Sequence, residues 1–284
     1  MNVELRHLRA LVAIGDVGTI SGAARLLRIS QPALSRTLEQ LESRIGTPLV
    51  ERTTRRLALT DAGRVLHERS HAILNQVDDA LAQAATGPRP LRVGFAWALL
   101  GERTTAVLRA WRERFPETPV RLYRRDDPEA ALRRGELDMA VVRTMPAPDG
   151  DVIAEELYSE DRLVAVPDGH PLMLSGGVRL ADLADHPVVV CSTAATTAGF
   201  WVRGRQPHIV EVDGVDEWLT VIAIGEALGV TTEGTGHSHP HPGVRYLPIT
   251  DAGAVTVRLL RPLVPTHPAA EAFADHARKA VGGS

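Results

Sequence analysis

Gln31, Ser35 and Arg36 carry an amide, a hydroxyl and a guanidinium within six residues. These are the groups that hydrogen-bond to base edges and phosphates in a DNA major groove. Ser30 is placed to cap a helix, and Pro32 sits in a first turn whose N–H groups have no intrahelical acceptor. At about 100° per residue from Leu34, the residues Leu38, Leu41 and Ile45 fall within about 40°, and Pro32, Ser35, Arg36 and Glu39 fall between about 100° and 200°. One face is core and the other polar. A lone Ser-Arg pair is more often a solvated helix face, so the neighbouring residues decide.

Other chemistry is sparse. The chain has no GxSxG elbow, no HExxH, no P-loop and no GxGxxG after a strand, and its single lysine, Lys279, lies in a terminal helical pattern. No enzymatic activity and no cofactor are expected. His237, His239 and His241 alternate in EGTGHSHPHPG with Glu233 nearby, residue types that bind zinc or nickel. Pro240 and Pro242 make that segment an extended loop without a closed ligand geometry, so a solvated loop and no metal site are expected. Cys191, the only cysteine, excludes an intrachain disulfide. It reads more readily as a small buried hydrophobe than as a redox sensor.

The polar helix needs elements to hold it. Small residues at Gly22, Ala23 and Ala24 allow a preceding short helix to approach closely, and Leu5, Leu8, Leu11 and Val12 place a first helix, about 4–14, behind the pair. A hairpin over 50–59 carries Thr53, Thr54, Arg55 and Arg56 at its tip. Thr60 then caps a long helix, 61–86, with Leu66, Ile73 and Val77 on a narrow stripe that requires a partner, either the chain's own body or a second copy. Gly87-Pro88-Arg89-Pro90 ends it.

Ala23-Ala24, Leu26, the run from Ser30 to Arg36, Leu41-Glu42, Gly46, Pro48-Leu49, Glu51-Arg52 and Leu59-Thr60-Asp61-Ala62-Gly63 together resemble the N-terminal winged helix-turn-helix of LysR-type transcriptional regulators. The resemblance implies that Gln31, Pro32, Ser35 and Arg36 enter the major groove, that Ser30 positions a phosphate, and that Arg55 takes the adjacent minor groove. It also implies a homodimer or homotetramer through Leu66, Ile73 and Val77, on a dyadic double-stranded operator. Glu39 departs from many relatives, which carry a polar or basic residue there.

From Leu91 onward short apolar runs alternate with helical patterns. Candidate strands are 91–95, 120–123, 139–142, 163–166, 187–190, 209–212 and 244–247, with helical patterns at 99–115, 128–134, 180–184, 215–227 and 269–281. This rhythm predicts mainly parallel sheets in two halves. Leu132 to Val141, Pro167 to Leu172 and Ala223 to Val230 resemble the regulators' effector domain, which implies two Rossmann-like, periplasmic-binding-protein-like α/β subdomains: one of about 91–160 plus 266–284, the other about 161–265. Ligands bind beyond the carboxyl ends of such strands. The expected effector turns are therefore Ala96-Trp97, Arg143-Thr144, Ser192-Thr193 and Thr231-Thr232. Arg143 and the hydroxyls favour an anionic or strongly polar small molecule and Trp97 a stacking wall, with a carboxylate among the candidates. Trp97 stands where many relatives place a small hydroxyl residue.

Length and charge agree with this division. The 284 residues allow about two domains. Residues 1–60 hold nine arginines against five acidic residues, +4, which leaves −7 on the rest of a chain of net charge −3. A basic head on an acidic body suits a protein that sets one end on nucleic acid. No apolar run is long enough to span a membrane, and no signal-peptide pattern opens the chain, so a cytoplasmic location is expected. The expected function is a LysR-type regulator modulated by a small molecule in the inter-subdomain cleft. The alternatives are a DNA-binding protein with a non-sensing α/β body, or a solute-binding or enzyme-like protein.

Overall fold

The computed structural model describes residues 3–52, 57–148, 150–191, 201 and 207–282, with only the backbone of Arg52 and Thr86. The chain folds as two compact units, residues 1–89 with 133–136, and residues 90–132 with 137–284.

In the first unit α1 (Leu5–Val17), α2 (Ile20–Leu26) and α3 (Gln31–Ile45) pack around Leu11, Ile14, Ala23, Ala24, Leu34, Leu38 and Leu41, all essentially buried. Ala23 and Ala24 are buried in this helix-packed core. The tight turn before α3 holds Arg28 at φ 55, a left-handed conformation unusual outside glycine. The strands β1 (Val50–Arg52) and β2 (Leu57–Leu59) pair antiparallel; the tip between them, including Arg55, lies outside the described residues. Glu42 near the end of α3 accepts from the backbone N–H groups of Leu49 and Val50, at 2.8 and 3.2 Å, and so fixes where the hairpin starts.

The helix α4 (Asp61–Thr86) begins at Thr60, whose hydroxyl oxygen accepts from Gly63 N–H and whose O–H donates to the Pro48 carbonyl, both at 2.9 Å. A Cβ on Gly63 would stand 2.0 Å from the Leu49 carbonyl oxygen, so the glycine of Leu-Thr-Asp-Ala-Gly is required by backbone contact.

The second unit holds two five-stranded sheets. The first, in the order β4-β3-β5-β12-β6, is built from β3 (Leu91–Phe95), β4 (Val120–Arg124), β5 (Met139–Val142), β6 (Val152–Glu160) and β12 (Val255–Pro262). The second, β11-β7-β10-β8-β9, is built from β7 (Arg162–Pro167), β8 (Val188–Cys191), β9 (Ile209–Val212), β10 (Leu228–Thr232) and β11 (Val244–Pro248). α5 (Thr104–Arg114), α6 (Pro128–Arg133) and α9 (Ala270–Gly282) accompany the first sheet in sequence and α7 (Val215–Ala223) and α8 (Glu233–Ser238) the second. Trp111 and Phe273 centre one core. Trp218 centres another, where its indole N–H donates to the Val189 carbonyl and Gly229 leaves it room.

Three expectations are corrected. The sheets are mixed: β3, β4 and β5 run parallel, as do β8, β9 and β10, but β12 is antiparallel to both its neighbours and β7 to both of its own. The return to the first sheet comes at Val255 and not at 266, because β12 inserts between β5 and β6. Glu233–Ser238, expected as extended loop, is a short helix that ends before Pro240.

We predict that Gly63→Ala lowers the stability of the first unit by about 3 kcal/mol, since the obstacle is a carbonyl that cannot swing aside. Urea unfolding followed by circular dichroism measures it; an unchanged midpoint would show that the backbone at Leu49 yields freely.

Candidate DNA interface and effector cleft

On α3 the buried Leu34, Leu38 and Leu41 face the core, while Gln31, Pro32 and Arg36 are exposed and Ser35 is half-buried. Ser30 caps the helix, its Oγ accepting from Ala33 N–H at 3.3 Å, and is itself exposed. The stripe on α4 divides differently from the expectation. Leu66 packs against the core of its own unit, and Ile73 is exposed. Leu81, two turns beyond Ile73, is also exposed.

In the second unit the expected effector residues do not all meet. The Ala96 carbonyl accepts from Arg124 Nε at 3.1 Å. Trp97 stacks edge-on against Trp218 and His239, with ring centroids 5.5 and 6.3 Å away, and its carbonyl faces His239 Nε2 at 3.2 Å. The indole is therefore engaged in packing. Thr144 is half-buried after β5; Ser192 and Thr193 lie outside the described residues. Thr231 and Thr232 are buried at the end of β10, which the sequence rhythm read as a turn.

Arg143 and Thr232 converge on a residue that sequence reasoning missed, Glu160. Arg143 donates from Nη2 to Oε1 at 2.7 Å and from Nε to Oε2 at 2.8 Å, and its remaining nitrogen donates to the Ala98 carbonyl. Thr232 donates to Oε2 at 2.5 Å, Tyr158 to Oε1 at 3.3 Å, and the Gly234 N–H adds a fifth bond. Burial pushes the Glu160 carboxyl upward, but hydrogen bonds and charge from Arg143, with Thr232 and Gly234, outweigh it and hold the pKa below the usual carboxylate range. Burial and the Glu160 charge push the Tyr158 phenol well above its ordinary value. Arg143 and Glu160 come from the first sheet, Thr232 and Gly234 from the end of the second, so one carboxylate ties the two halves together.

Beside this pair lies a cavity of about 210 Å³ lined by Gly101, Glu102, Arg103, Glu160, Glu233, Gly234 and His237. Arg103 sits over the Tyr158 ring at 4.4 Å, and its Nε is buried without a hydrogen-bond partner among the described residues. Gly101 and Gly234 allow the walls to close: a Cβ on Gly234 would fall 2.4 Å from Glu160 Oε1. The three alternating histidines go to separate partners, His237 to Glu102 at 3.4 Å, His239 to Trp97, and His241 to the Gly243 N–H.

The chain matches two family models, "Bacterial regulatory helix-turn-helix protein, lysR family" over residues 5–64 and "LysR substrate binding domain" over residues 84–282. It belongs to the LysR family of transcriptional regulators. Among its relatives, the Hca operon transcriptional activator HcaR of Escherichia coli (strain K12) is 34% identical over 81% of each chain. The HTH-type transcriptional regulator BenM of Acinetobacter baylyi is 29% identical over 89% of this chain and 88% of its own, and the structure of full-length BenM is similar at a TM-score of 0.59 and 26% identity, covering 98% of this chain and 96% of that one. CbnR, a LysR family transcriptional regulator, shares the fold at a TM-score of 0.65 and 21% identity over 98% and 99%. As a LysR-type regulator the chain is a DNA-binding, effector-modulated protein, and no described helix is long and apolar enough to cross a membrane.

Nothing in a single sequence marks Glu160, which closes the polar run Glu155-Glu156-Leu157-Tyr158-Ser159. Gly101 and Gly234 carried the only readable signal, glycines next to the expected turns. We predict that Glu160→Gln destabilises the second unit by about 3–5 kcal/mol at neutral pH, because Arg143 is left buried without its counter-charge. Glu160's pKa is depressed in the folded state, so its contribution is present above the ordinary carboxylate range and is lost as pH falls through the depressed value. Urea melts over an acid series should show the gap between the two proteins closing in that window; a gap independent of pH would mean that Glu160 is not ionised.

Proposed function

We propose that this regulator reads a dyadic operator in the cytoplasm, with a DNA-binding head over about 1–60, a dimerising linker helix over 61–86, and a sensing body over 91–284. The observation that carries the reading is the two-faced α3, which buries Leu34, Leu38 and Leu41 and exposes Gln31, Pro32 and Arg36. Gln31, Pro32, Ser35 and Arg36 enter the major groove. Ser30 caps α3 with its oxygen and donates its O–H to a phosphate, and Arg55 takes the narrow minor groove, whose negative potential attracts arginine. Two half-sites need two recognition helices, so the working form is a homodimer or a homotetramer. Ile73, Val77 and Leu81 supply the apolar contact, and Leu66 sets the angle at which α4 leaves its own head.

The effector occupies the cavity beside Glu160. Its anchor is Arg103 rather than Arg143, whose nitrogens are committed to Glu160 and Ala98. A buried guanidinium N–H without a partner calls for an acceptor, while Glu102, already 3.4 Å from Arg103 Nη1 and from His237, and Glu233, which accepts from the Asp161 N–H, have lone pairs left for a donor. A small carboxylate with a hydrogen-bond donor at its other end meets both demands. No catalytic step is assigned to these residues.

Two measurements test the halves of this reading. Arg36→Ala should cost about 1–3 kcal/mol of specific operator affinity and relax base preference at one position. Unchanged affinity and salt slope would remove Arg36 from the interface. In a panel of small carboxylates, the ligand that raises the melting temperature of the full chain should lose that effect in Arg103→Gln. A shift retained in that variant would place the ligand elsewhere.

A further inference from the structure

Among the described residues, one group of side chains is arranged to hold a metal ion, and it lies outside both sites above: Asp16 on the last turn of α1 and His67 and His71 on α4. The Nε2 atoms of His67 and His71 both face Oδ1 of Asp16, at 2.9 and 3.0 Å, and all three ligand atoms lie within 4.8 Å of one another. Spacing of four residues puts the two imidazoles on one face of the helix, and their rings meet edge to face with centroids 4.8 Å apart. Gly15 makes this approach possible. A Cβ there would stand 2.4 Å from His67 Cδ2 and 2.5 Å from its Nε2.

We propose that Asp16, His67 and His71 form a site for a late first-row divalent cation, of which zinc is the physiological choice, and that the ion fastens α1 to α4. Two imidazoles and one carboxylate suit Zn²⁺, Co²⁺ or Ni²⁺ better than Mg²⁺ or Ca²⁺, which favour all-oxygen shells. Bonds of about 2.0–2.2 Å to a tetrahedral ion place ligand atoms about 3.3 Å apart. Asp16 thus has to withdraw by a few tenths of an ångström from each imidazole, which its exposed position permits, and the two imidazole nitrogens, within 4.8 Å of one another, have to close on the ion by side-chain rotation. The histidine side chains are largely buried and the Asp16 side chain is 43% exposed, so the fourth position opens to solvent for a water ligand and for entry of the ion. Binding replaces the hydrogen bonds to Asp16 by lone-pair ligation, so each ring has to present a bare Nε2 to the ion, with its proton moved to Nδ1 or released to solvent. The consequence is mechanical. α1 packs on α2, α3 and α4, so a bond between Asp16 and α4 resists any change of angle between the helix-turn-helix and the linker helix.

The test is titration of the tag-free, chelator-stripped full-length protein with Co²⁺, followed by its visible absorption. Strong d–d bands of a four- or five-coordinate ion should grow to one equivalent per chain and vanish when Zn²⁺ is added. His71→Gln and Asp16→Asn should each weaken binding tenfold or more, and so should Gly15→Ala, which crowds the His67 ring while leaving all three ligand side chains in place. His208→Gln, an exposed histidine elsewhere, should titrate like the parent. Melting curves recorded in chelator separate lost ligation from lost fold, and His67→Gln replaces any variant that does not fold. Absent bands, the weak bands of octahedral Co²⁺ alone, or an unchanged titration in His71→Gln would each overturn the site and leave the cluster as hydrogen bonds between two helices.

Discussion

Taking the Glu160 carboxylate out of water carries a desolvation penalty of several kcal/mol, and the architecture of the second unit is organised around offsetting it. Five donors reach its two oxygens, and they come from both sheets. Arg143 directly follows β5, Thr232 ends β10, and Gly234 lies in the first turn of α8, so the ends of three elements are fixed by one charged group. Glu160 also ends β6, two residues before β7 begins the second sheet, so the ion pair sits where the chain passes from one half to the other. A ligand in the adjacent cavity shares a wall with that pair. Any ligand that alters the placement of Glu160 alters the contact between the sheets, which is the differential interaction that an effector needs to shift an equilibrium.

The first unit depends on close approach rather than charge. Ala23, Ala24, Gly15 and Gly63 stand where helices or backbone come together, and Gly63 is the strictest because its neighbour is a main-chain oxygen. Thr60 and Glu42 complete that junction by satisfying N–H groups that the helix start and the hairpin start leave open. The exposed face of α3 is positioned by these contacts on its opposite side. Recognition residues on a rigid helix lose little freedom when they bind, so local packing bears on DNA affinity without any contact to DNA.

Periodicity made the first 90 residues legible, because helices announce themselves at 3.6 residues and glycine and proline mark their ends. The parallel strands β3, β5 and β9 were readable for a similar reason: each is a short apolar or alternating run between turn signals. The strands β6, β10 and β12 were missed. Val152–Glu160 is an edge strand with mostly half-exposed residues and five acidic or hydroxyl side chains. Leu228–Thr232 follows a glycine turn and reads as its continuation. The pairing of β12 with β5 and β6, which makes the sheet mixed, joins residues about a hundred positions apart, and no local pattern encodes it. For the same reason the cleft was anticipated by its turns and not by its charges. Arg143 looked available because its partner lies seventeen residues away across a sheet.

The charge division between the two units bears on how such a protein finds its operator. A head of +4 against a remainder of −7 draws DNA to the head in preference to the body, which biases the encounter before any base is read. Excess acidity on the body also limits its non-specific binding to DNA, since carboxylates are repelled by phosphates and neutralise none of them. A divalent ion held between α1 and α4 adds positive charge to the head, so ligation at Asp16, His67 and His71 strengthens this polarity as well as the mechanical link. Stiffness and field then act in the same direction, toward a head that arrives oriented and stays so on its site.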